Sequence, residues 1–587
     1  MEFISKYALP LLAALIICIF FTGLPLLSRC RLEDKKESKK MELKDWALVL
    51  VISLVYGVVA FTNLGSTRAP QNYWQAEGEN FLVLELKEEA DIERVMFYAN
   101  INVGSYNLEL SPDGENYHLA AVLEQNYAEL LRWHSLELGE AGQNARFLRI
   151  SSTGNPRMGE LAIYSGGKYL EYYSPIPALN DESGIIPADY NYYNGSYFDE
   201  IYHVRTALEH MEAMEPYEIS HPPLGKLIIS IGISLFGLTP FGWRFMGTLL
   251  GVLMLPIVYV FAKKLFGGRA VPVCASLVLA ADFMHYTQSR MATIDTYGVF
   301  FILLMYLFMY LWLTEQKNWQ LALCGIAFGL GAASKWTCLY AGAGLGLIWA
   351  LYWLIWGKKQ GFKAFCKNAA FCVLFFVLVP CLIYYLSYYP YGAARGLHGI
   401  GAFFTKEYFH IVISNQEFMF SYHAGVNATH PYSSMWYQWL LDIKPILYYL
   451  KYYDDGIRSS FGAFVSPALC WGGLLALFVL IYTAIFRKDK KAAFILLAYL
   501  AQLLPWVFVP RLTFAYHYFP CSVFLVLALG YVFRLMELNT KGWQSYVYGF
   551  TGFCIALFIM FYPVISGAPV SSAFSDKFLG WLPTWPF

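Results

Sequence analysis

The sequence carries little charge: Asp, Glu, Lys and Arg make up 14% of its 587 residues, and 42 basic residues are balanced by 42 acidic ones. So thin and neutral a distribution gives no bulk attraction for a polyanion, and no nucleic acid is expected among its partners. The sequence also lacks any C-x-x-C pair. Its 11 cysteines are scattered, several of them (Cys18, Cys324, Cys372 and Cys554) inside apolar runs, and read as small core residues rather than a disulfide framework or a zinc site. The 11 histidines show no tight i, i+4 ligand spacing, so no cofactor is firmly predicted and the sequence decides nothing about a divalent metal.

What the chain has in abundance is apolar surface, 57% of residues, with 18% aromatic, a mixture too greasy for an ordinary soluble enzyme. A spanning helix needs roughly 20 mostly apolar residues. About twelve stretches approach that, near 7–28, 45–63, 241–262, 270–286, 293–313, 318–333, 337–356, 366–387, 465–486, 492–509, 517–535 and 544–566. The first is longer than a usual signal-peptide core, and Arg29 spoils a lipobox at Cys30, so a retained anchor is expected.

Orientation follows from short basic loops, which tend to stay cytoplasmic. Four agree: Arg29, Arg31, Lys35, Lys36, Lys39, Lys40 and Lys44; Lys263, Lys264 and Arg269; Lys358, Lys359 and Lys363; Arg487, Lys488, Lys490 and Lys491. Both termini are then outside, and two long segments, 64–240 and 388–464, form an external working surface. The expected division is two helices in 1–69, a β domain in 70–170, an outer loop with an interfacial helix in 171–240, and a helical membrane core in 241–587.

Between 70 and 170 the period turns from helical to alternating: FLVLELK, VMFYANI, YNLELS and RFLRIS read as strands and SPDGE as a turn. The order YNLELSPDGENYHLAAVL, ARFLRI, GELAIY resembles the discoidin (coagulation factor 5/8 C-type) jelly-roll. That resemblance implies a β-sandwich with a possible carbohydrate ligand; a spacer without a ligand fits the same pattern.

The chemistry-bearing residues gather on the external side. Asp199 and Glu200 are an adjacent acidic pair, and a carboxylate at the membrane surface can accept a hydroxyl proton as a glycosidic bond forms; most such pairs are solvated loop residues. Pro222 and Pro223 of HPPLGK suit the first turn of an interfacial helix running to about Phe236, which puts His221 and Lys226 at headgroup depth. Asp282 ends one helix, Gln288, Ser289, Arg290 and Asp295 occupy the short connection to the next, and Ser334, Lys335, Trp336 and Thr337 separate two short apolar runs. Ionisable groups there cost energy unless paired or functional. Arg290 and Lys335 can hold a lipid phosphate, while pairing of Arg290 with Asp282 or Asp295 is the plainer reading. The aromatic segments FSYHAGVNATHPYSSMWYQWLLDIKPILYY and PRLTFAYHYFP suit sugar stacking or an aromatic belt. Asn194 and Asn427 match glycosylation sequons.

YFDEIYH, HPPLGKLII, PFGWRF, QSRMATIDTY, ASKWT, HPYSSMWYQW and FAYHYFP together resemble the protein O-mannosyltransferase family, polyprenyl-phosphate-dependent glycosyltransferases of the GT-C class. The resemblance implies an α-helical polytopic GT-C fold, a donor of mannosyl phosphoryl polyprenol type, inversion, and an external hydroxyl of a protein or cell-envelope polymer as acceptor. It makes Asp199 the general base with Glu200 its acidic neighbour, Arg290 the phosphate-binding arginine and His221 a neighbour of the carrier phosphate; Lys335 and Lys226 join them as donor-phosphate candidates by their position at the membrane surface. Tyr202, His203, Trp336, His423 and His517 are further site candidates. Two departures stand out: 388–464 is too short for a MIR domain, and the β domain before the acidic pair is additional. Without the first helix, eleven spans remain with an inside start, as in the family. The cell membrane, with the site on the extracytoplasmic face of a bacterium, is the expected location. A transporter is the alternative, since broken helices and intramembrane charges also mark solute paths, but no internal repeat accompanies them.

Overall fold

The computed structural model describes residues 14, 17–25, 27–32, 38–75, 81–425 and 428–587. It divides into two compact units, one of Met1–Thr62, His210–Ile228 and Gly247–Phe587, the other of Asn63–Glu209 and Ile229–Met246.

The first unit is an integral membrane protein's helical core. Among the described residues nine helices are long and apolar enough to cross a bilayer: Leu43–Phe61, Pro240–Phe266, Asp295–Glu315, Thr337–Ile355, Phe362–Ala393, Pro467–Phe486, Lys490–Phe508, Ala515–Asn539 and Trp543–Ser566. Each falls on an expected stretch. Two expectations are modified. The stretch at 270–286 is a bent pair, Ala270–Ala280 and Phe283–Ser289, meeting at 58°. The break has a chemical cause: the Asp282 carboxylate caps the second helix by accepting from the His285 N–H at 3.2 Å, and also accepts from the Ser466 N–H at 2.9 Å. That helix therefore includes Gln288 and Ser289, which the sequence reading had left in a connection. The stretch at 318–333 forms the helix Asn318–Ser334, of 17 residues. The first expected span, 7–28, lies partly outside the described residues, and Lys35, Lys36 and Asn427 of the sequon lie wholly outside them.

A buried charge in this unit is paired. Asp45 is fully buried and accepts from Lys263 at 3.1 Å and from the Tyr259 hydroxyl at 2.9 Å, tying the first described span to the second. The segment 388–464, read from sequence as an aromatic loop, contains the helix Lys406–Gly425 and a hairpin of β11 (Ile446–Tyr452) and β12 (Ile457–Ala463), extended by β13 (Val570–Ser571). Its turn puts Asp455 and Gly456 at φ of 62° and 70°, the left-handed pair that an Asp-Gly turn adopts at low cost.

The second unit is built on a β-sandwich, as the alternating pattern requires. One sheet has the order β1 (Trp74–Gln75), β8 (Arg157–Ser165), β3 (Arg94–Ala99), β6 (Arg132–Glu137), with β9 (Lys168–Tyr169) beside β8. The other has the order β10 (Tyr172–Tyr173), β2 (Phe81–Ala90), β7 (Ala145–Gly154), β4 (Gly104–Ser111), β5 (His118–Gln125). All pairings are antiparallel. Every second residue points inward, so Leu84 and Leu86 of β2, Val95 and Phe97 of β3, Leu108 of β4, Leu148 and Ile150 of β7 and Leu161 and Ile163 of β8 share one core. The SPDGE turn closes on Asp113, whose carboxylate accepts from the Glu115 and Asn116 N–H groups at 2.9 Å each.

Candidate active site

In the sandwich unit the acidic pair opens the helix Glu200–Met211. The preceding loop is held from several sides. The Ser196 hydroxyl donates to Leu130 O at 2.5 Å and its N–H to Leu131 O at 2.9 Å, both at the entry to β6, and the Ser66 N–H donates to Tyr193 O at 2.7 Å. Gly195 is obligatory, because a Cβ there would lie 2.6 Å from that of Arg132. Phe198 takes a φ of +50°, an unusual conformation for an aromatic residue, immediately before Asp199. Asp199 itself is half-buried.

Glu200 has a different environment from its neighbour. It is fully buried, and both carboxylate oxygens are taken by Arg244, Nε to Oε1 and Nη2 to Oε2, each at 2.8 Å. Arg244 also donates to Leu64 O at 2.9 Å and Gly195 O at 2.8 Å, and lies 4.8 Å from the Tyr197 ring centroid. A bidentate pair with its remaining donors on backbone carbonyls is a structural tie. This geometry makes Glu200 an anchor for the loop that presents Asp199 rather than a second acid. Tyr202 and His203 follow on the same helix, His203 buried.

The membrane unit assembles most of the other candidates. The segment before HPPLGK folds around Glu218. Its Oε1 accepts from the Ser220 N–H at 2.9 Å and lies 3.0 Å from His221 Nδ1. Lys226, fully buried, directs its ammonium at Glu218 Oε2 at 2.5 Å, Glu218 O at 2.7 Å and His221 O at 2.9 Å. Donating to these acceptors of one loop, Lys226 acts as a strut. Gly225 lets this turn approach the next candidates: a Cβ would lie 2.6 Å from Ile294 Cγ2 and 3.4 Å from Ser334 O.

Those next candidates are Asp295 and Lys335. Their side chains pair at 2.5 Å, and the Lys335 ammonium lies 5.6 Å from the Tyr516 ring centroid. Lys335 is extended between two helices, as the interrupted apolar run suggested. Beside it, Trp336 donates to the Tyr384 hydroxyl at 3.1 Å and faces His423 with ring centroids 6.2 Å apart. His423 meets His221 edge-on at 5.3 Å, and its Nε2–H donates to Ser220 O at 2.8 Å. Its Nδ1 is therefore an acceptor, and it has no partner among the described residues. Burial lowers the His423 pKa to about 4, and the positive charges of His221, Arg511 and Lys335 push the same way. His517 stacks on Tyr516 at 4.5 Å and meets Trp506 at 4.3 Å.

Arg511 was missed from sequence. It lies in PRLTFAYHYFP, half-buried, and has no ion pair or hydrogen bond among the described residues. Its charge acts on His423, His517 and Tyr340. The signal was a cation in a segment read only for its aromatics and His517. Arg290, by contrast, donates to the Tyr286 hydroxyl and lies over that ring at 4.8 Å. Asp295 carries Lys335 at 2.5 Å, and Asp282 accepts from backbone N–H groups.

The arrangement in the membrane unit is thus a half-buried recess rimmed by His221, His423, Lys335, Trp336, Tyr516 and Arg511, with more positive than negative charge. Such a recess suits an anionic oxygen and, through its rings, a polyhydroxylated ring.

Two family models match the chain. "Dolichyl-phosphate-mannose-protein mannosyltransferase" covers residues 220–385, and "C-terminal four TMM region of protein-O-mannosyltransferase" covers 408–585. Between them they span more than half the chain and contain every recess residue; the β domain and Asp199 lie outside both. Among curated relatives, a "Polyprenol-phosphate-mannose--protein mannosyltransferase" of Mycolicibacterium smegmatis is 23% identical over 426 residues, 62% of this chain and 82% of that protein. The protein of the same name from Mycobacterium tuberculosis is 25% identical over 431 residues, 62% of this chain and 81% of its own length. Among solved structures, the S. cerevisiae protein O-mannosyltransferase Pmt1-Pmt2 complex bound to the sugar donor aligns with a TM-score of 0.58 at 14% identity, covering 67% of this chain and 89% of that one.

Proposed function

The chain belongs to the protein O-mannosyltransferase family, and from that premise we propose that it moves mannose from a polyprenyl-phosphate carrier to a hydroxyl of a protein acceptor, with inversion at the anomeric carbon. The observation that carries the reading is the charge of the recess: Arg511, without a counter-ion among the described residues, beside Lys335 and His221, in a chain of zero net charge. Cations of that kind bind the phosphate diester of the donor and stabilise the phosphate as it departs with the bonding electrons.

The roles divide as follows. The acceptor oxygen attacks the anomeric carbon while Asp199 takes its proton, a step open to a half-buried carboxylate. Arg511, Lys335 and His221 hold the phosphate, with Glu218 fixing the His221 ring through Nδ1. Arg290, the arginine of QSR, serves the same donor. Trp336, His423 and His517 line the sugar's side of the recess. Glu200 and Lys226 hold the two loops in shape. The β domain braces the Asp199 loop through Leu130 and Leu131 and has a carbohydrate polymer as its own ligand. The basic loops support an extracytoplasmic site in a bacterial plasma membrane, where the acceptor is an exported protein or an envelope polymer.

The test is Asp199→Asn, assayed with mannosyl phosphoryl polyprenol and a Ser/Thr-rich peptide. The proposal expects transfer to fall by at least 10³-fold, on the order of a removed catalytic base, while donor binding is kept. Wild-type rate in the variant overturns the assignment of the base.

A further inference from the structure

The corner that follows the span Phe362–Ala393 exposes a surface no part of the proposed reaction uses. That span is the least buried of the nine, with Leu378, Leu382 and Leu386 open on its flank. At its end the chain turns through a short helix, Ile400–Phe404, into the helix Lys406–Gly425. The corner is rigidly attached: the Tyr385 hydroxyl donates to Phe403 O and the Tyr408 hydroxyl to Tyr385 O, both at 2.8 Å. Tyr388, Tyr391, Ala402, Tyr408, Ile411 and Val412 form its core.

What points away from that core is apolar. Ile400 is 78% and Phe404 84% exposed. On the long helix Phe409, Ile413 and Phe420 are exposed at i, i+4 and i+11, one stripe at helical spacing. Beside that stripe run Lys406, His410, Ser414, Glu417 and Ser421, with Glu407 further round. A helix with one buried face, one exposed apolar stripe and a polar strip between water and that stripe matches the layering of a membrane interface. Aromatic residues dominate the stripe, as they do at headgroup depth. Tyr385 lies within one turn of Leu382 and Leu386, so the surface continues the lipid-facing side of the span. Between Tyr385, Phe403, Phe404, Lys406, Phe409 and His410 lies an open cleft of about 590 Å³. Lys406 has no ion pair there among the described residues, and His410 Nε2 is 3.3 Å from the Ser414 hydroxyl.

We propose that this corner is immersed in the membrane face at which the span ends, and that the cleft binds an anionic glycerophospholipid, its phosphate at Lys406 and His410 and its acyl chain along Phe404 and Phe409. The aromatic walls take the chain as they take the bilayer's own, and one unpaired ammonium above them selects headgroups of net negative charge.

A photo-crosslinking amino acid placed at position 404, and separately at Tyr173, an exposed β-domain position, tests this in the full-length protein reconstituted in nanodiscs. The discs contain phosphatidylcholine with one-fifth phosphatidylglycerol and a trace of undecaprenyl phosphate, and adducts are identified by mass. The expected result is lipid adducts at 404 and none at 173, with phosphatidylglycerol over-represented about threefold relative to supply and that excess abolished by Lys406→Glu. Absence of lipid adducts at 404, or crosslinks there to protein alone, overturns the immersion. Lipid adducts without headgroup preference, or a preference unmoved by Lys406→Glu, overturn the anionic site. Preferential capture of undecaprenyl phosphate overturns the choice of ligand and gives the cleft to the carrier.

Discussion

Replacing Arg244 by Ala isolates the tie that shapes the Asp199 loop. The guanidinium's hydrogen bonds include two to the Glu200 carboxylate and one each to Leu64 O and Gly195 O, at 2.8–2.9 Å, and both partners of the ion pair are buried. Removing it leaves a carboxylate in a dry site with no counter-ion, which costs about 3–5 kcal/mol. The two carbonyls lose their donor as well, so the upper end of that range is expected. Because 1.4 kcal/mol is about a factor of ten, and the cost falls on one loop and helix, local opening there rises by roughly 10³–10⁴-fold. Hydrogen exchange read by mass spectrometry on the purified protein reports it: peptides covering 193–205 lose protection by that factor, while those covering β2 and β7 change little. The double variant Arg244→Met with Glu200→Gln recovers most of the protection, because a neutral, well-packed pair carries no stranded charge. Unchanged exchange in Arg244→Ala refutes the argument that this pair holds the loop.

Further outcomes follow from other charges. Burial, with the charges of Asp181 and Glu182 adding to it, raises the Glu160 pKa to about 8 from 4.5. The fold therefore holds a proton that the unfolded chain releases, and stability declines as pH rises from about 4.5 through 8, by at most about 1.4 kcal/mol per unit; thermal unfolding across that range shows the slope, and Glu160→Gln flattens it. Burial and positive neighbours depress His423, so its contribution is lost as pH falls from 6.5 through about 4; a Lys335→Ala variant shifts that acid limb upward. Arg511→Ala weakens kcat/KM for the donor by about 10- to 100-fold, the range for a charge-assisted bond, and Arg511→Lys recovers part of it; equal kcat/KM in all three proteins removes Arg511 from the phosphate site.

The spans and the sandwich were legible in the sequence because both depend on local period. Alternation at FLVLELK and RFLRIS became β2 and β7, and the interrupted run at Ser334–Thr337 became a break between two helices. The hairpin of β11 and β12 was equally open to reading, with Asp455-Gly456 between apolar runs, but its tyrosines suggested an aromatic belt instead. Side-chain pairing was not legible. Glu200 meets Arg244 across 44 positions and Lys335 meets Asp295 across 40, and no periodicity encodes such partners. For the same reason Lys226 looked available until its three acceptors were in view, and Arg511 was hidden by the aromatic residues around it.

The account rests most directly on the reaction itself. The purified protein, given mannosyl phosphoryl polyprenol of known anomeric configuration and a Ser/Thr peptide, is predicted to yield a peptide heavier by one hexose, with the opposite anomeric configuration by NMR and free polyprenyl phosphate in equal amount. No hexosylated peptide and no consumed donor, from a protein whose structure is intact, contradicts it.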